Sequence, residues 1–333
     1  MSAGRLGFAI GLVLLTLMTA PVYYLMQLWP GQKTDHDATI FNIPEGASLT
    51  RVANELASVG IIDSPLLFRL YTQLSGSDRR LLAGIYEVPR QQSAQELLTL
   101  FSSGRVQQHA IRLPEGANLR MLMALLAEQE VLEHRATGWR QLQWELDLDL
   151  PFVEGAFFPD TYFVPEGASD LSVLQRAHDA LLAQLQSAWN SRGSNLAIET
   201  PAQALVLASI IEKESDAPQD RRQISQVFHL RLKKNMKLQT DPTVIYALGE
   251  NFDGDIRRRD LSVDSPFNTY RYKGLPPTPI ALPSRASIDA AVNPADGDYL
   301  YFVARGDGTS QFSRTLEEHN AAVRRYQLSK EGI

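Results

Sequence analysis

Two glutamates near the middle of the chain, Glu212 and Glu214, are the residues best placed to do chemistry. They close the run Ala204-Leu-Val-Leu-Ala-Ser-Ile-Ile-Glu-Lys-Glu-Ser215, which reads as an α-helix introduced by Thr200-Pro201 as N-cap and first helical residue. On a wheel of about 100° per residue with Leu207 at zero, Ile211 falls near ~40°, Ala204 near ~60° and Ile210 near ~−60°. Glu214 falls near ~−20°, inside the apolar stripe, whereas Glu212 falls near ~140° and can point elsewhere. A carboxyl held against leucine and isoleucine has its charged form disfavoured, so its pKa rises and it can donate a proton near neutral pH. Protonation of a glycosidic oxygen requires such a group. A helix that ends before Glu214 would leave the same charge solvated, and the wheel alone does not separate the two readings.

A second polar cluster, Gln239-Thr-Asp-Pro-Thr-Val-Ile-Tyr246, runs straight into an apolar stretch. Asp241-Pro242 is also ordinary composition for a turn or a helix start. Ser265-Pro-Phe-Asn-Thr-Tyr270 and Gly274-Leu-Pro-Pro277 fit either a rigid loop or the wall of a sugar groove, where Asn and Thr bond hydroxyls and Tyr stacks on pyranose faces. Other chemistries find little support. The six histidines (36, 109, 134, 178, 229, 319) show no paired ligand spacing, which argues against a metal centre. No Gly-x-Ser-x-Gly elbow is present, and Gly306-Asp-Gly308 is an isolated hairpin turn.

The 333 residues allow about two domains plus an anchor, with the 44% hydrophobic and 21% charged content of an ordinary globular protein. A net charge of −6 gives no basic footprint for nucleic acid. The absence of cysteine excludes disulfides and thiol chemistry. From Leu6 to Trp29 no residue is charged. At about 1.5 Å per residue that stretch spans roughly 36 Å, enough to cross a hydrocarbon core of about 30 Å. Tyr23, Tyr24 and Trp29 near its far end resemble an interfacial aromatic belt, and Met18-Thr-Ala20 followed by Pro21 is a poor cleavage site. The expectation is an uncleaved anchor at 6–29, with Arg5 and the N-terminus on the cytoplasmic side.

A polar tether is expected over 30–38, followed by an internal echo. Ile43-Pro-Glu-Gly-Ala-Ser-Leu49 is matched by Leu113-Pro-Glu-Gly-Ala-Asn-Leu119, and Gly84-Ile-Tyr-Glu-Val-Pro89 by Asp160-Thr-Tyr-Phe-Val-Pro165. An offset of about 70 residues suits two related β-α-α-β units better than a solenoid. The first unit, 39–106, has the strand–helix–helix–strand order of LysM-type glycan-binding modules. Beyond it, helices are expected over 170–191, 200–214, 219–233 and 316–328, mostly loops and short strands over 239–283, and a buried strand at Tyr299–Val303.

Taken together, Ala208-Ser-Ile-Ile-Glu-Lys-Glu214, Leu238-Gln-Thr-Asp-Pro-Thr-Val-Ile-Tyr246, Asn268-Thr-Tyr270, Gly274-Leu-Pro-Pro-Thr-Pro-Ile280 and Glu318-His-Asn320 closely resemble the MltG (YceG-like) endolytic murein transglycosylases. One departure is Gln311, where relatives often carry a histidine. The resemblance implies an α+β protein: an N-terminal transmembrane helix, a small LysM-like module and a mixed α/β catalytic domain over 107–333. It implies a single-pass enzyme of the bacterial inner membrane, with residues 1–5 cytoplasmic and the catalytic domain periplasmic. Such an enzyme cuts nascent peptidoglycan at the MurNAc–GlcNAc β-1,4 bond, leaves 1,6-anhydro-MurNAc ends, uses no cofactor and works beside peptidoglycan synthases. The catalytic residue carried over is Glu214, and Gln239, Thr240, Asp241, Asn268 and Tyr270 are expected to bind the saccharide. Two rival readings stand beside it: a non-catalytic cell-wall binding or scaffold protein, and a hydrolytic muramidase using Asp241 as its second carboxylate.

Overall fold

The computed structural model describes residues 17, 19–44, 46–76, 81–104, 108–214 and 217–327. The chain forms two compact units. One runs up to His109 and includes Val164–Glu166; the other comprises Ala110–Phe163 and the chain from Gly167 onward. The architecture is mixed α+β.

In the first unit β1 (Thr39–Ile43) pairs antiparallel with β2 (Gly84–Val88), in the register Thr39↔Val88 to Ile43↔Gly84. Between them lie α1 (Leu49–Ser58) and α2 (Pro65–Leu74), and α3 (Ala94–Ser103) follows. Each helix opens on a serine cap, Ser48, Ser64 and Ser93, and Ser93 with Glu96 forms a full capping box. Strand alternation sends Phe41, Ile43, Tyr86 and Val88 into one core with Phe68 and Phe101. The Phe101 ring lies 5.0 Å from Tyr86 and 5.9 Å from Phe41. Upstream, a π-helical turn (Tyr24–Leu28) and a 3-10 turn (Trp29–Gly31) bring Trp29 edge-on to Tyr71 at 6.1 Å. Part of the stretch read as a tether, 30–38, bonds to the loop before α3: Thr34 N–H donates to the Gln92 carbonyl and Gln92 N–H to His36 Nε2. Residues 6–16 and 18 of the expected anchor lie outside the described residues. Among those described, no helix is long and apolar enough to cross a membrane.

The second unit opens with the other half of the echo. β3 (Gln108–Arg112) pairs with β5 (Thr161–Pro165), and α4 (Leu119–Ala127), β4 (Leu132–Glu133) and α5 (Trp139–Glu145) lie between them. Both repeats therefore place two helices between paired strands. β4 pairs in parallel with the short β6 (Ala168–Ser169). There follow α6 (Asp170–Asn190), α7 (Pro201–Glu214), α8 (Arg221–Lys233), α9 (Asp241–Leu248), α10 (Arg285–Val292), the hairpin β7 (Tyr301–Ala304) and β8 (Ser310–Ser313), and α11 (Leu316–Tyr326).

The structure corrects three expectations. Helix α7 has no single apolar stripe: every residue from Ala204 to Ile211 is buried, because α6, α8, α9 and α10 pack around it. A helix apolar on all sides is a core helix. Residues 241–248, expected among loops and short strands, form a helix, with Thr240 in extended backbone at its start and Pro242 in its first turn. The strand at the Tyr299–Val303 segment is not buried throughout. It starts at Tyr301 and is one arm of the β7–β8 hairpin, where Val303 is buried and Tyr301 and Phe302 are half-exposed.

His229 fastens α8 to its surroundings. Its Nδ1 accepts from Ala197 N–H at 2.9 Å and its Nε2 lies 2.8 Å from the Ala291 carbonyl. That pairing requires the neutral ring protonated at Nε2, and burial lowers its pKa accordingly. His229→Leu would leave two backbone groups unpaired. The expected loss is about 2–6 kcal/mol, at about 1–3 kcal/mol per group, measured by urea unfolding.

Candidate active site

Glu214 is the last residue of α7, so its position follows from everything that packs around that helix. Thr200 Oγ1 accepts from Gln203 N–H at 3.2 Å at the helix start, the capping that Thr200-Pro201 predicts. Midway, Ser209 Oγ accepts from Ile280 N–H at 3.0 Å and donates to the Val206 carbonyl at 2.7 Å, so the helix holds the 280 segment. At its end the two glutamates diverge. Ser284, the N-cap of α10, donates to Glu212 Oε2 through its N–H at 2.9 Å and through its hydroxyl. Arg221 Nη2 lies 3.4 Å from Glu212 Oε1, and both side chains are nearly buried. Glu212 therefore joins three helices and has no free face for a substrate.

Glu214 instead accepts a hydrogen bond from the hydroxyl of buried Thr240. Its carboxyl is densely surrounded yet partly exposed, and it lines a cavity of about 540 Å3. Gln239, Asp241, Tyr270, Arg231, Tyr301 and His319 share the lining. Burial pushes the Glu214 pKa up to about 7, the Thr240 hydroxyl opposes that rise, the Asp241 charge adds to it, and the Arg231 guanidinium opposes it. The position itself also disfavours charge, since a helix C-terminus carries partial negative charge. At neutral pH a large share of Glu214 is protonated in a cavity open to ligand.

The loop opposite is built to hold this geometry. Gln239 has φ +54°, a left-handed conformation unusual for a residue with a side chain. It is held there by Gln239 N–H donating to the Thr269 carbonyl at 3.2 Å, and by Thr240 N–H donating to Thr269 Oγ1 at 3.1 Å. Tyr270 donates its hydroxyl to Asp241 Oδ1 at 2.6 Å, and burial first, then that bond, raise the pKa of the phenol. Of the residues expected to bind saccharide, Gln239, Asp241 and Tyr270 face the cavity, and Thr240 lies beneath Glu214. Asn268 is fully buried: its amide donates to the carbonyls of Leu261 and Val263, and its Oδ1 accepts from Tyr270 N–H. It braces the loop and lines no groove. Leu275, Pro276 and Pro277 line a separate cavity with Phe152 and Val206. Gln311 lies on β8, bonded to Arg305 at 2.7 Å.

Sequence reasoning missed Arg231, Tyr301 and His319 as site residues. Arg231 donates from Nε to the Leu300 carbonyl and from Nη1 to the Leu238 carbonyl, both at 2.7 Å, with its guanidinium 5.2 Å from the Tyr301 ring centre. His319 stacks on Tyr301 at 5.2 Å, and its Nδ1 has no partner among the described residues. Burial and Arg231 lower its pKa. The signals were present, as a buried-face arginine on α8 and as Glu318-His-Asn320, but neither has a spacing that reports its partner. A larger cavity of about 800 Å3 shares α9 but does not include Glu214. Of its two carboxyls, Glu250 pairs with Arg120 at 2.7 Å, and Glu154, whose pKa is raised by burial, is engaged by the Tyr246 hydroxyl and Leu119 N–H, each at 2.8 Å. Among the described residues no group of His, Asp or Glu is arranged to hold a metal.

The chain matches the YceG-like family over residues 41–325. It belongs to that family. An endolytic murein transglycosylase of Bacillus subtilis is 33% identical, covering 91% of this chain and 89% of the relative. One of Streptococcus pneumoniae is 26% identical over 96% of this chain, which spans 65% of that longer relative. A crystal structure of a putative yceG-like protein from Listeria monocytogenes, 29% identical, superposes with a TM-score of 0.55 over 86% of this chain and 98% of the other.

The two glutamates should separate experimentally. Glu212→Ala removes the Ser284 acceptor and strands Arg221, for an expected loss of about 2–4 kcal/mol. Glu214→Gln should do the reverse above neutral pH. Below about 4.5 the Glu214 carboxyl is protonated folded and unfolded alike, but between about 4.5 and about 7 only the unfolded chain ionises it, so stability falls across that window. Thermal melts should therefore show Glu214→Gln raising the midpoint at pH 8, by on the order of 5 °C, and leaving it unchanged at pH 4.

Proposed function

We propose that this protein is an endolytic murein transglycosylase that cuts the MurNAc–GlcNAc β-1,4 bond within nascent glycan strands and leaves 1,6-anhydro-MurNAc ends. The observation that carries the mechanism is a carboxyl lining a polar cavity, with its pKa raised by burial and only a hydroxyl bonded to it among the described residues. The names of the Bacillus and Streptococcus relatives support the substrate and the reaction class.

Glu214, protonated, donates its proton to the leaving O4 as the glycosidic bond breaks and positive charge develops at C1. The resulting carboxylate then takes the proton of the muramyl C6 hydroxyl while that oxygen bonds to C1. The proton count closes with no water consumed, and Glu214 ends in its starting state. Intramolecular attack spares the enzyme from positioning a nucleophilic water. Thr240 orients the carboxyl. Asp241 keeps it protonated before the first step, and Arg231 steadies its anion between the steps. Gln239 and Tyr270 meet the sugar. Placement of this activity at the inner membrane, with 6–29 as a single-pass anchor and peptidoglycan synthases as neighbours, belongs to the same proposal. So does a glycan-binding role for the LysM-like order of the first unit.

Digestion of uncrosslinked nascent glycan by the full chain in detergent, read by mass, tests this reading. Muramyl ends lacking one water, abolished by Glu214→Gln, are expected. Ends carrying an added water would instead make Asp241 a second catalytic carboxylate, and intact strands would favour a binding protein. Because the first step needs the acid form, kcat/KM should fall as pH rises through about 7. Asp241→Asn removes a like charge, lowers the Glu214 pKa and should move that limb to lower pH.

A further inference from the structure

We propose that the exposed face of α2 lies on the lipid surface of the membrane, beside the point where the N-terminal apolar segment leaves it. The inference rests on reading residues 6–29 as the anchor. Leu66, Leu70 and Leu74 are 61%, 38% and 59% exposed, respectively. Spaced four apart, they form one ridge along the helix. The opposite side of α2 carries Phe68 and Thr72 into the core. Tyr71, about 100° around from Leu70, lies between ridge and core. It is Tyr71 that receives Trp29 edge-on at 6.1 Å.

Trp29 lies three residues before the end of the uncharged run that begins at Leu6 and stops at Lys33. The chain would thus emerge from the bilayer one ring contact from α2. Tyr23, Tyr24 and Leu28, just before it, are also exposed. Tyrosine and tryptophan favour the bilayer–water boundary, which sets α2 at that height. The three ridge side chains are aliphatic, and the Gln73 amide exposed beside them is a single polar group where a glycan site would need several. It forms a convex row, whereas a docked peptide or helix would need a groove. α2 contains no acidic residue and a single cation, Arg69, so an anionic leaflet would not repel it. Leucines left in water in a contiguous row are otherwise a liability.

The chain contains no cysteine, so Leu66→Cys, Leu70→Cys and Leu74→Cys can each carry one nitroxide in the full-length protein. Gln95→Cys and Thr99→Cys, on the exposed side of α3, serve as references. With the protein in phosphatidylethanolamine–phosphatidylglycerol vesicles, collisions with oxygen and with a water-soluble nickel chelate are compared. A ratio of oxygen to nickel collisions several-fold above the references is expected at all three ridge positions. Ratios equal to the references would mean that the ridge stands in water. Protection from both reagents would mean that protein or glycan covers it. Failure of the chain to float with the vesicles would remove the anchor and this inference with it. None of these readouts depends on lytic activity, so they stand apart from the fate of the transglycosylase reading.

Discussion

A carboxyl at the end of a helix buried on every side must either keep its proton or find a compensating partner. The second unit is arranged around both answers, given two residues apart. Glu212 is compensated by Ser284 and Arg221. Among the described residues Glu214 receives one hydrogen bond, from the Thr240 hydroxyl, and feels the Arg231 guanidinium, with the Asp241 charge working against ionisation. Had Glu214 the partners of Glu212, it would be a structural anion with no proton to give.

That asymmetry depends on neighbours that are themselves tightly specified. Thr240 can reach Glu214 only while Gln239 holds its left-handed backbone, and the bonds to Thr269 hold it there. The buried amide of Asn268 carries that support down to Leu261 and Val263. Arg231 spends its hydrogen bonds on main-chain carbonyls, which fixes its charge near the carboxyl without neutralising it. The cavity is thus a polar pocket whose walls are set by backbone pairing more than by apolar packing.

Much of this was legible in the sequence where the signal is local. The Thr200-Pro201 start, the paired strands of the two echoes and the Gly306-Asp-Gly308 hairpin all follow from turn and capping chemistry within a few residues. The wheel singled out Glu214 from a premise the structure does not share. α7 is apolar all round, and the carboxyl owes its environment to its place at the helix end and to the loop beyond α8. Asn268 was misplaced because a polar residue in a Pro- and Thr-rich segment looks the same whether it meets a sugar or its own backbone. Arg231 and His319 were missed because their partners are distant in sequence, and one chain without its relatives carries no trace of that pairing.

The last turn of α7 holds both ends of one long excursion of the chain. Thr240 at the start of α9 is bonded to Glu214, and Ser284 at the start of α10 is bonded to Glu212. Everything between is a closed loop whose two feet stand two residues apart on one helix. Closing a longer loop on fixed feet adds entropy cost slowly, by about 0.6 kcal/mol per doubling. The mostly exposed tip at 253–259 can therefore gain or lose residues while the carboxyl stays in place. The reach of this loop and the position of the Glu214 carboxyl are in this way separately adjustable, one by loop length and the other by the two bonds at its base.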